Sequence, residues 1–161
     1  MTSQFPAQTV GAWREYARFS SSGITSNQVS FLVRFPGYLF DGLDFGPYLP
    51  GQSPGRGIVL SDSQLRARIA LIAPFTRSIR TYGSTSGLEN ISRVAREFGL
   101  ATSIGAWLSA DTTSNALEIS NLINQIRQGT VDEAVVGSEV LLRKDLTEAQ
   151  LLSYIGQVGN V

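Results

Sequence analysis

The chain has 161 residues, 42% of them apolar, which suits one domain of ordinary size with a sizeable core. It has no cysteine and no histidine, so disulfides, thiol nucleophiles, Cys/His zinc sites and a Ser-His-Asp triad are excluded. Acid–base chemistry falls to carboxylates, tyrosines or the single lysine, Lys144; thirteen basic residues against thirteen acidic give no general attraction to nucleic acid or anionic lipid.

The N-terminus, Met1 to Pro6, lacks a basic n-region and an apolar h-region and reads as no signal peptide. No window approaches the roughly 18 consecutive apolar residues of a membrane span. Residues 1–37 read as an irregular segment, with Ser20-Ser21-Ser22-Gly23 at its centre. Tyr16, Phe19, Phe31 and Phe35 are too many aromatics for a disordered linker and are expected to pack.

From residue 38 the text becomes regular. Leu39 to Phe45 is a first strand. Gly46 to Gly57 holds three prolines and four glycines and is a loop. Ser61 with Gln64 has a capping-box pattern, and Leu65, Ile69 and Ile72 then share a helical face that ends near Pro74. Ser78 to Thr81 is a second strand. Leu88, Ile91, Val94, Ala95 and Phe98 mark a second helix, stopped by Gly99. Leu100 to Leu108 is a third strand. Leu117, Leu122, Ile123 and Ile126 mark a third helix, closed by Gly129. Ala134 to Val140 is a fourth strand, and Thr147 with Gln150 opens a last helix carrying Leu151, Leu152 and Ile155. The fold class is α/β: four consecutive βα units on a parallel sheet, over residues 38–161. Four units suit a small open sheet or half of a (β/α)8 barrel, which normally needs about 250 residues.

In such folds the working residues stand at the carboxyl ends of strands. There the sequence offers Asp44, Phe45 and Tyr48, then Arg80, Tyr82 and Gly83, then Trp107 and Asp111, and finally Glu139. A carboxylate inside an apolar strand needs a partner, and burial would raise its pKa as a general acid requires. Glu139 is therefore either a general acid or the buried ion-pair partner of Arg80 or Arg143. Trp107, Tyr82 and Tyr48 are either sugar-stacking faces or core aromatics. Asp44 and Asp111 are either site residues or helix caps. No dinucleotide, Walker or calcium-loop spacing is present, so no cofactor and no metal are expected.

Four stretches resemble glycoside hydrolase family seventeen, most closely its bacterial and fungal branch acting on β-1,3-glucans. They are Gly42-Leu43-Asp44-Phe45-Gly46-Pro47-Tyr48 with Gly51-Gln52-Ser53-Pro54; Ile79-Arg80-Thr81-Tyr82-Gly83-Ser84; Ile104-Gly105-Ala106-Trp107-Leu108; and Val136-Gly137-Ser138-Glu139-Val140-Leu141-Leu142-Arg143. They stand in family order and spacing. The resemblance implies a (β/α)8 barrel, a retaining mechanism and Glu139 as acid/base, with Ser138, Tyr82, Trp107, Arg80, Asp44, Phe45 and Tyr48 toward the substrate. Ser138 replaces the common asparagine, and Asp44-Phe45 the common Asn-Tyr.

The resemblance also implies a nucleophilic glutamate on a seventh strand, whereas this chain carries four strands. Retaining hydrolysis uses two carboxyl groups about 5–5.5 Å apart. Two expectations follow. The chain is the N-terminal half of a β-1,3-glucan hydrolase or transglycosylase, its partners being β-glucan and either a missing C-terminal half or a second copy of itself. Otherwise it is a non-catalytic glucan-binding or self-assembling module on a half barrel. The open sheet edges favour association; alternatively, residues 1–37 cover the open side.

Overall fold

A computed structural model describes residues 39–161, together with the backbone of four strands in the N-terminal segment. Those strands are β1 (Trp13–Ala17), β2 (Ser20–Ser21), β3 (Ile24–Thr25) and β4 (Val29–Val33). β1 pairs antiparallel with β4, and β2 with β3. The packing expected of Tyr16, Phe19, Phe31 and Phe35 concerns side chains outside the described residues. Residues 1–39 and 40–161 form separate units.

The second unit alternates strand and helix throughout. Its elements are β5 (Leu43–Asp44), α1 (Asp62–Ile72), β6 (Ser78–Arg80), α2 (Ile91–Glu97), β7 (Ala101–Ala106), α3 (Thr112–Arg127), β8 (Glu133–Val136) and α4 (Glu148–Gly159). The sheet order is β5-β6-β7-β8, all parallel. This is the α/β arrangement the sequence predicts, built like part of a TIM barrel. Among the described residues no strand lies beyond β5 or β8.

Three of the four helices, α1, α3 and α4, start where a side chain takes up free amides; α2 has no side-chain cap. Ser61 Oγ accepts from the Gln64 amide at 3.2 Å. Gln64 does not complete the expected box; its amide nitrogen instead donates to the Pro47 carbonyl at 2.9 Å and to Gln52 Oε1 at 2.6 Å. The helix start thus pins the proline-rich loop. Asp111 Oδ1 caps α3 through the Thr113 and Ser114 amides, and Thr147 with Gln150 forms the full reciprocal box at α4.

The core lies between sheet and helices. Ile79 and Ile104 point from the strands into Leu65 and Ile69 of α1, Ile91, Val94 and Ala95 of α2, and Ile119 and Leu122 of α3. On the opposite sheet face Ser78, Arg80 and Ser103 remain half-buried. The third helix differs from expectation. Leu117 is 58% exposed, and the buried stripe is Asn115, Glu118, Ile119, Leu122 and Gln125. Three polar residues occupy it because each finds partners inside. Asn115 bonds the Ser109 backbone, Glu118 gathers donors from two loops, and Gln125 accepts from Ser92.

All four strands of the sheet are shorter than predicted, β5 and β8 notably so, although β8 begins one residue earlier than expected. β5 spans two residues, preceded by an isolated bridge between Phe40 and Thr76. β8 stops at Val136, four residues before the expected end, because the chain leaves the sheet at Gly137 with φ +78° and turns again at Glu139 with φ +55°.

Candidate active site

Asp44 closes β5 and Arg80 closes β6, and the parallel register sets them side by side. Arg80 Nη1 stands 3.8 Å from Asp44 Oδ1. Two residues further on, the Tyr82 hydroxyl donates to Asp44 Oδ2 at 2.9 Å, and the Arg80 guanidinium lies 4.8 Å from the centre of the Tyr82 ring. The bond to Asp44 raises the Tyr82 pKa above its usual value. Desolvation and the Asp44 charge add to the rise, Arg80 opposes it, and the Glu139 charge also raises it. Asp44 therefore caps no helix; it anchors a tyrosine.

Trp107 follows β7 and is 43% exposed, as is Tyr82. One face of its indole carries the Arg143 guanidinium at 4.5 Å. Its backbone amide donates to Glu118 Oε2 at 3.1 Å. Close approach of β7 to the end of β6 makes this geometry possible: a Cβ on Gly105 would lie 2.5 Å from the Thr81 carbonyl oxygen.

Glu118 is the functional residue that sequence reasoning missed. It is 6% exposed. Its Oε2 also accepts from the Ser84 amide at 2.7 Å and the Ser84 hydroxyl at 3.0 Å, and its Oε1 from the Thr85 hydroxyl. One carboxylate on α3 thus holds the loops after β6 and β7. The available signal was an acidic side chain directly before Ile119 on a helix facing the core.

These loops and the one after β5 enclose a cleft of about 950 Å³. Asp44, Phe45, Tyr48, Tyr82, Trp107 and Glu118 are among its lining residues; Arg80, Ser138 and Glu139 are not. Phe45 is buried and serves the core as well. The Tyr48 hydroxyl titrates above its usual range because it is desolvated and, secondarily, because it senses Glu118.

Glu139 differs most from expectation. It is exposed, lies outside the strand, and sits in a left-handed turn. The desolvation that a place inside β8 would impose is therefore absent. Neither expected ion pair forms: Arg80 faces Asp44, and Arg143 pairs with Asp145 at 2.8 Å. The turn is closed by Gly137 N to Ala106 O, Arg143 N to Glu139 O and Asp145 N to Val140 O, all within 2.9–3.0 Å. The Glu139 side chain is left facing solvent on the same end of the sheet as Tyr82.

Among the described residues no group of three acidic, histidine or cysteine side chains could hold a metal ion. No helix among them is long and apolar enough to cross a membrane.

Residues 42–161, which include every element around the cleft, match the family described as the BtgE/BtgC glycoside hydrolase domain. The chain belongs to that family. The BtgE/BtgC match begins just before β5 and ends with the chain, so it covers the whole four-stranded sheet. The domain is also similar to a glucan 1,3-beta-glucosidase of Saccharomyces cerevisiae (strain ATCC 204508 / S288c), 27% identical over 109 residues. That alignment takes in 65% of this chain and 35% of the yeast protein, so the matching part spans about a third of its relative's length. No solved structure matches the chain significantly.

Proposed function

We propose that the chain is the part of a glycoside hydrolase family seventeen domain that binds β-1,3-glucan and supplies its acid/base, Glu139. The observation that carries this reading is Glu139 itself. It is an exposed carboxylate in a strained turn after the fourth parallel strand, with no arginine paired to it among the described residues. Its charge is felt by Tyr82, whose ring, with those of Trp107 and Tyr48, offers apolar faces for pyranose rings. Asp44 and Ser138 are suitably placed in sequence to meet sugar hydroxyls.

In the proposed reaction the protonated Glu139 gives its proton to the glycosidic oxygen as the C1–O bond breaks. A second carboxylate takes up C1, and Glu139 then removes a proton from the incoming water, or from a sugar hydroxyl in transglycosylation. Asp44, the acidic residue that closes β5 at this end of the sheet, is engaged by Tyr82 and Arg80. The nucleophile therefore comes from further strands beyond the β8 edge, supplied by a second copy or by the rest of a longer protein. Incubation with laminari-oligosaccharides tests this. Reducing ends are expected from the wild type when the second carboxylate is supplied, and a fall of about a thousandfold or more with Glu139→Gln, within the range of general acid catalysis. Equal rates for the two proteins would remove Glu139 from the chemistry.

The engagement of Asp44 also favours a second reading, a glucan-binding module without catalysis. Affinity electrophoresis in a β-glucan gel separates the two. Retardation that Trp107→Ala abolishes, in a protein that never releases reducing ends, supports the module.

A further inference from the structure

Arg143 has four partners and Glu139 is not one of them. Its Nε donates to Asp145 Oδ2 at 2.8 Å, its Nη2 to the Leu108 carbonyl at 2.8 Å, its Nη1 to the Ser138 carbonyl, and its face lies on the Trp107 ring. The two carbonyls belong to different segments. Leu108 directly follows Trp107. The Ser138 carbonyl belongs to the peptide plane that joins Ser138 to Glu139.

We propose that Arg143 is a positioning residue that fixes the Trp107 face and the Glu139 carboxylate in one register. The inference rests on the proposed roles of those two residues. Rotation of the Ser138–Glu139 peptide plane is what sets φ at Glu139, and that φ is +55°. A left-handed φ is unfavourable for a non-glycine residue, so the conformation persists only if the surroundings hold it. Arg143 holds it from the carbonyl side. The same planar group backs the indole, so neither can shift without disturbing the other. The fork is needed for this: five donors in one plane reach two carbonyls and a carboxylate while the face stacks, which a lysine ammonium cannot do. Three of its five N–H groups and one face are thus engaged, none of them with Glu139.

The test uses the full chain with Trp13→Phe, which leaves Trp107 as its one tryptophan. Into it go Arg143→Gln and Arg143→Lys. Both are expected to shift Trp107 emission and increase its quenching by acrylamide. Both should also speed hydrogen exchange at the Lys144 and Asp145 amides about tenfold or more, the loss of one charge-assisted bond, with α1 and α2 unchanged. Wild-type emission and exchange in Arg143→Gln would overturn the proposal. So would full rescue by lysine, which would show that charge alone matters, and so would equal acceleration throughout α1 and α2, which would show general destabilisation. Titration with laminarihexaose adds the functional arm, with affinity expected to fall about tenfold in Arg143→Gln. If the unsubstituted chain binds no glucan, the functional reading fails, while emission and exchange still decide the role of Arg143.

Discussion

Glu118 shows how much one buried side chain can organise. Its four donors include two backbone amides, Ser84 and Trp107, that cannot turn away. Both amides donate to the one oxygen Oε2, and Glu118→Ala removes it, so these two N–H groups lose their partner. A buried unsatisfied donor costs about 1–3 kcal/mol, so the urea midpoint should fall accordingly; an unchanged midpoint would show that the loops stand without Glu118. Tyr82 offers a second test. Its pKa is raised chiefly by the hydroxyl's bond to Asp44, so Asp44→Ala should move its ionisation back down toward the ordinary phenol range. NMR of ring-labelled tyrosine reads this, and no movement of the Tyr82 resonance with pH would contradict it. Asp44, Tyr82 and Trp107 were legible in the sequence because strand ends can be located from short apolar runs. Glu118 was not, because its role depends on donors that lie 34 residues back along the chain.

At the scale of elements, β7 is the strand on which the site depends. Gly105 lies so close to Thr81 and Tyr82 that Gly105→Ala is expected to cost about 1–3 kcal/mol by overpacking and to displace Tyr82. An unaltered thermal midpoint would contradict that. The start of β7 is held by Asp132, whose Oδ2 accepts from the Thr102 amide at 2.7 Å and whose Oδ1 accepts from Arg96 at 2.6 Å. These bonds, the backbone one foremost, hold its pKa below the usual aspartate value. The stability it adds is therefore fully present above the unfolded-state pKa, about 3.9, and is lost as pH falls through the lower folded value. Asp132→Asn should flatten the acid limb of a stability–pH curve and leave its slope above about pH 6 unchanged. An identical acid limb would count against it. Helices were legible from capping residues and spacing, although their buried faces were not always so: the apolar pattern on α3 pointed to Leu117, yet hydrogen bonding favoured Asn115 and Gln125. The end of β8 was misread because Val140 continues an apolar run while Gly137 and Glu139 break the backbone direction, a local conformation that apolar patterning does not report.

For the whole unit, four parallel strands with helices on one face produce a site that belongs to several elements at once. Asp44, Tyr82 and Trp107 come from three successive strands, and Glu139 from the turn after the fourth. Residues 42–161 make up a BtgE/BtgC glycoside hydrolase domain, and the cleft of about 950 Å³ is lined from the first three of its strand ends. That a parallel sheet carries its working groups at one end was readable from alternation alone, since βα units leave no other end for them. What could not be read was the division of labour. The cleft wall is organised from α3 by Glu118, and the Glu139 turn from its own C-terminal side by Arg143. In the proposed function β-1,3-glucan lies across Trp107 and Tyr82 and reaches Glu139. Titration of the isotope-labelled chain with laminarihexaose, followed by NMR, tests it most directly. The predicted result is concentration-dependent shifts of the Trp107 indole N–H and the amides of Tyr82, Gly83 and Glu139, with α1 and α2 unmoved. Saturating sugar that leaves those four signals in place would contradict it.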